Sequence, residues 1–175
     1  MKNEYAQWRK LDNAALAFPA VTGKNDTRVF RFYCELKEEI KEENLQEALE
    51  RTLEKYPLFR AVLRKGLFWF YLERRDIPAV VKKEAGAPCS GLYIPDKKTL
   101  LFRVSYYKNR INFEVFHALT DGTGAMHFLM ELVKNYLYLA HQKEGLEPVS
   151  MLPEDMTVQD QESDSFLKYY SKDQK

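Results

Sequence analysis

Residues 114–133 read EVFHALTDGTGAMHFLMELV, and two periodicities meet inside them. Up to Phe116 the chain continues an alternating run that begins at Arg110, the signature of a strand with one buried face. Beyond Asp121, the residues Ala125, Leu129, Leu132, Val133, Tyr136 and Ala140 recur along one helical stripe. Asp121 stands where a helix start needs an acceptor for its free N–H groups and a negative charge for its dipole. A strand therefore gives way to a helix within one short turn, and His117 sits at the junction.

Strand alternation places Ile111, Phe113, Val115 and His117 on one face, and Asn112, Glu114 and Phe116 on the other. The histidine is in phase with the apolar face, at the sheet edge where the chain leaves for the helix. Two readings stay open. An inward imidazole at a strand end can act as a base near neutral pH, or it can be a packed histidine hydrogen-bonded to backbone. Gly122 is either helix-start punctuation or a surface kept open for close approach of a substrate. Thr120 and Thr123 are cap-region residues unless a tunnel runs past them.

Upstream, RVFRFYCEL (28–36) has the dense alternation of a buried strand. Asn44 offers an N-cap, and Leu45, Ala48, Leu49, Leu53 and Tyr56 follow at helical spacing until Pro57. Phe59 to Leu63 and Leu67 to Leu72 read as a hairpin around Lys65-Gly66, and Ala79 to Val81 as a short edge strand. Leu100–Tyr107 and Arg110–Phe116 form the clearest hairpin, turning at Lys108-Asn109. Pro19 biases Phe18 toward an extended conformation, so residues 5–20 read as an irregular arm. The element order predicts an α/β sandwich: one mostly antiparallel or mixed sheet with helices packed on one face. Residues 1–141 form the domain, and the acidic, Pro-containing segment 142–175 reads as a linker or crossover.

With 27 basic and 26 acidic residues, the chain carries no field that would draw in nucleic acid or an anionic membrane. Its two cysteines form no C-x-x-C or Cys/His cluster, which suits a reducing cytosol and no zinc site. No run of about 18 apolar residues is present to span a bilayer. The N-terminal residues lack the apolar core of a signal peptide, so a cytoplasmic location is expected.

His117-Ala-Leu-Thr-Asp121-Gly122 at a strand-to-helix turn is an H-x-x-x-D-G, and it resembles the active-site motif of the chloramphenicol acetyltransferase-like superfamily. That superfamily includes condensation domains and alcohol acetyltransferases. Residues 44–73, with Tyr56-Pro57-Leu58-Phe59-Arg60, resemble the helix and following strand near the start of such proteins. WRKLDNAALAFPA (8–20) is similar to bacterial alcohol acetyltransferase-like proteins in particular. The resemblance implies that His117 takes a proton from an alcohol or amine acceptor, which attacks the carbonyl of an acyl-CoA thioester. It implies that Asp121 pairs with Arg60 to hold the turn, and that Gly122, Phe116 and Thr120 line the substrate site. It implies no metal and no resident cofactor, acyl-CoA being a substrate. Family members have two similar halves and this chain matches the first, so either self-association or a missing C-terminal half is expected. The alternative is a non-catalytic half-domain that serves as a binding module. Phe116 replaces the second histidine common in condensation domains, which argues against peptide-bond formation on carrier proteins.

Overall fold

The computed structural model describes residues 8–11, 17–23, 26–67, 69–95 and 97–142. The acidic segment expected to act as a linker therefore lies outside the described residues beyond Gln142. In chain order the elements are β1 (Trp8–Lys10), α1 (Ala17–Val21), β2 (Val29–Glu35), α2 (Glu42–Lys55), β3 (Ala61–Lys65), β4 (Phe70–Arg74), β5 (Lys82–Lys83), β6 (Phe102–Tyr107), β7 (Arg110–Phe116) and α3 (Gly122–Ala140). A 3-10 turn, Pro57–Arg60, follows α2.

The expected α/β architecture is present, but the strands form two sheets rather than one. The larger has the order β2-β7-β6-β5, antiparallel except for the β5–β6 pair, and the smaller is β1-β4-β3. Phe102, Val104, Ile111, Phe113 and Val115 of the larger sheet are buried together with the apolar stripes of α2 and α3. Phe128 of α3 stacks on Phe113 at 4.8 Å and on Phe59 at 4.2 Å, so three separate segments meet in one aromatic cluster. Such ring pairs add about 0.5–1.5 kcal/mol each to the area they bury.

One flank of α3 is fastened to α2 by polar contacts. Lys55 donates to Glu131 at 3.1 Å and Asn135 donates to Thr52 at 3.0 Å. Tyr56, at the end of α2, is packed in the core with its hydroxyl unpartnered among the described residues, and burial followed by the charge of Glu131 pushes its pKa up to about 12. Removing a buried hydroxyl that bonds to nothing leaves no orphan partner behind. Tyr56→Phe is therefore expected to be neutral or to stabilise by up to about 1 kcal/mol. A lower urea midpoint for this variant would show that the hydroxyl has a partner after all.

Several local expectations are corrected. Helix α2 begins at Glu42, with Lys41 rather than Asn44 at the cap position, because Glu42 and Glu43 suit the positive end of the dipole and the Tyr136 hydroxyl accepts the Lys41 N–H at 3.0 Å. Phe59 and Arg60 lie in the 3-10 turn, not in a strand, since Pro57 starts a new turn and Phe59 is drawn into the core. Leu67 and Trp69 are exposed and precede β4. Ala79 and Val81 are buried outside any strand; the Gln46 side chain donates to the Ala79 carbonyl and accepts the Val81 N–H, both at 2.8 Å. Phe18 is helical, in α1, where Pro19 falls in the first turn and forfeits no hydrogen bond.

Candidate functional site

Strand β7 carries His117 to the edge of the larger sheet, where β2 runs antiparallel with Val29 opposite Phe116. The next rung is made by the His117 N–H, which donates to the Arg28 carbonyl at 2.9 Å. This rung fixes the imidazole on the face shared with Phe30 and Phe113. There the ring stacks on Phe18, with centroids 4.3 Å apart and planes 19° apart, and tilts against Phe30 at 5.0 Å. It is half-buried, and its ring nitrogens have no hydrogen-bond partner among the described residues. Two aromatic walls thus orient the imidazole.

Asp121 is the N-cap of α3: its Oδ1 accepts the Gly124 N–H at 2.8 Å, while the Ala125 N–H donates to its carbonyl at 3.0 Å. The cap ties the turn that follows His117 to the helix. Gly124 was not singled out from sequence, although it lies one helical turn beyond Thr120. A Cβ at Gly124 would overlap the Thr120 hydroxyl, so any side chain there makes that hydroxyl shift. Gly122 opens α3, and among the described residues a Cβ there would meet the Phe32 ring at 4.0 Å. Asp121→Ala is expected to cost about 1 kcal/mol by loss of the cap. An unchanged denaturation midpoint would show that the cap does not hold the turn.

His117, Thr120, Asp121 and Gly122 are brought together by one turn, and two other expected members are not. Arg60 does not meet Asp121: its guanidinium bonds Glu50 at 2.7 Å and lies 3.8 Å from Asp76. The 3-10 turn after Pro57 carries it to the end of α2, while Asp121 spends its carboxylate on backbone. Phe116 does not line the site either. Adjacent strand residues point to opposite faces, so Phe116 is fully buried behind His117, stacked on Tyr93 at 5.7 Å.

The face behind His117 holds a feature unforeseen from sequence. Glu114, 1% exposed, lies directly between Arg31 of β2 and Arg103 of β6 in the strand register. Arg31 donates to its Oε1 through Nε at 2.9 Å and Nη2 at 2.6 Å, and the Cys89 N–H donates to the same oxygen at 2.7 Å. Arg103 holds Oε2 through both Nε and Nη2. Burial alone would push the Glu114 carboxyl up, but Cys89, Arg103 and Arg31 outweigh it and hold it below the usual carboxylate range. Glu84 joins the network through Arg31 at 2.6 Å and Arg110 at 3.1 Å, fastening the chain after β5 across the sheet. The sequence signal was only half of this: an acidic residue at the centre of an apolar strand, whose arginine partners the strand pairing supplies.

A cavity of about 310 Å³ lies between Glu35–Glu38 and the C-terminal end of α3, lined also by Tyr136, Leu137 and His141. It is a helix length away from His117 and plays no part in the turn. Among the described residues no group of three or more His, Cys, Asp or Glu is arranged to hold a metal ion, and no helix is long and apolar enough to cross a membrane.

No family model matches the chain, and no curated protein matches it. Solved structures do. One is the starter condensation domain of rhizomide synthetase, in a variant complexed with C8-CoA (TM-score 0.62, 16% identity, 83% of this chain and 38% of that one). A second is the first condensation domain of the calcium-dependent antibiotic synthetase, complexed with a substrate analogue (0.63, 13%, 83% and 40%). A third is the X-domain complexed with OxyB from teicoplanin biosynthesis (0.63, 12%, 85% and 36%). The fold is thus that of condensation domains, and the chain spans less than half the length of each of these structures.

Proposed function

We propose that this chain is the histidine-bearing half of an acyltransferase, with His117 as general base, an acyl-CoA as donor and a small alcohol or amine as acceptor. The observation that carries the reading is the imidazole at the end of β7: half-buried, clamped by Phe18 and Phe30, and with both nitrogens unengaged among the described residues. The base would take the acceptor's proton as its oxygen or nitrogen attacks the thioester carbonyl, and the CoA thiolate would leave. A thioester is already activated, so positioning and one proton transfer supply the chemistry required. The complex of a rhizomide starter domain variant with C8-CoA supports an acyl-CoA donor. The alcohol O-acetyltransferase subtype rests on the resemblance of residues 8–20.

The test is release of free CoA from acetyl-CoA and longer acyl-CoA thioesters against a panel of alcohols and amines, using the protein in its native assembly. Acceptor-dependent thiol release is expected. Its absence for every donor and acceptor, under every pairing, would favour the second reading.

That second reading is a binding module without turnover. It is favoured by the separation of Arg60 from Asp121, which leaves the motif as a capped turn. The X-domain solved with OxyB is a protein of this fold in complex with another protein. Under this reading Asp121→Ala lowers stability while thioester turnover is absent throughout.

A further inference from the structure

Strand β2 is the edge of the larger sheet, and its hydrogen-bond parity shows which backbone groups face outward. The His117 N–H bonds Arg28 C=O and the Leu36 N–H bonds Asn109 C=O, so Arg28, Phe30, Phe32, Cys34 and Leu36 turn their polar groups toward β7. Val29, Arg31, Tyr33 and Glu35 turn theirs to the free edge, where no described residue pairs with the strand. Among these groups the Val29 N–H is locally engaged by Thr27 Oγ1 at 3.4 Å, and the Glu35 carbonyl accepts from the Cys34 thiol at 4.0 Å. This edge carries no proline and no bulge, two of the usual devices against strand addition, and its charges are Arg31 and Glu35.

Helix α3 runs beside that edge and repeats the pattern. Its α2 flank is closed by Glu131 and Asn135. The opposite flank carries Met126 (41% exposed), Met130 (39%), the half-buried Val133 and Leu137 (37%), an apolar stripe at helical spacing with nothing on it among the described residues. Strand edge and helix stripe border one another, because Gly122 of α3 approaches the Phe32 ring.

We infer that this surface is closed by a second copy of the chain, through antiparallel pairing of β2 with itself about a two-fold axis at Phe32. The surface is self-complementary in that arrangement. Arg31 exchanges backbone hydrogen bonds with Tyr33 of the second copy, and the Glu35 N–H meets the Val29 carbonyl, so the outward groups find partners. Phe32 faces its own copy as a non-hydrogen-bonded pair. In the layer above, the α3 stripe of Met126, Met130, Val133 and Leu137 meets the same stripe of the second copy. Arg28, whose carbonyl holds His117, falls opposite Leu36 of the second copy. The cavity lined by Glu35, Leu36, Leu137 and His141 of one copy therefore abuts the His117 turn of the other. The inference stands apart from acyl transfer, since its test contains no turnover.

Sedimentation or light scattering of the full chain is expected to give a dimer. Tyr33→Pro removes an outward N–H that the β2–β7 ladder does not use, and Met130→Glu puts a charge into the helix contact without touching the core. Each is expected to weaken association at least about tenfold with unchanged circular dichroism. Phe32→Cys, with Cys34 and Cys89 changed to serine, is expected to form an intermolecular disulfide under oxidation, because non-hydrogen-bonded pairs hold their Cα atoms at about 4.5 Å. A monomer at all concentrations overturns the inference and points to a strand from another protein as the occupant. A dimer that is indifferent to both variants, and whose Phe32→Cys form does not cross-link, overturns it equally.

Discussion

Replacing His117 with alanine is expected to lower acyl-CoA-dependent transfer by about 10²- to 10⁴-fold, the usual worth of a positioned general base. The expectation follows from the local geometry: the imidazole is aimed by a backbone rung to Arg28 and clamped between Phe18 and Phe30. Alanine also removes one ring of that stack, so lost activity could be confused with a loosened turn. His117→Phe separates the two, because it keeps an aromatic ring between the same walls and removes only the base. Both variants are expected to lose transfer alike, with kcat falling rather than KM rising. Full turnover by His117→Phe, measured as CoA release, would sink the mechanism. Asp121→Ala is expected to act differently, lowering stability by the cap and activity only as far as the turn loosens.

Glu114→Gln is expected to be the most damaging substitution for stability, by about 3 kcal/mol. Glutamine keeps the volume but removes the charge that neutralises Arg31 and Arg103, and it must present an NH₂ group to donors already aimed at it. Because Glu114 is 1% exposed, water cannot replace the lost partner. The pH dependence has a definite sign. A carboxyl whose folded pKa lies below its free value contributes fully above the free value, 4.5, and that contribution is lost as pH falls through the lowered folded value. Glu84 is shifted in the same direction: burial pushes it up, but Arg31 and Arg110 outweigh it. The wild-type chain should therefore lose stability steeply below pH 4.5, and Glu114→Gln should show a shallower acid limb. Equal limbs in denaturant titrations across that range would show that Glu114 is not the group responsible.

Much of the fold could be read from the chain because its signals are local. Alternation along Arg110–Phe116, the stripe from Ala125 to Ala140 and the acceptor at Asp121 depend only on neighbours a few residues apart, and β7, α3 and the N-cap follow from them. The same alternation placed His117 on the apolar face. It also implied that Phe116 faces the other way, yet the family pattern drew Phe116 into the site, and the structure returns it to the rear face. Long-range pairings were out of reach. Nothing near Glu114 in sequence says that β2 and β6 will flank β7 so that two arginines meet one carboxylate. Nor does anything near Phe18 say that a five-residue helix will lay its ring on His117. By itself the sequence determined β2, β6, β7, the stripes of α2 and α3, the turn and the inward histidine, since these follow from backbone periodicity and capping. Only the tertiary structure decided that Arg60 answers to Glu50 rather than Asp121, and that β2 is left as an open edge. Which charges meet, and which strand ends a sheet, depends on where segments distant in the chain are packed.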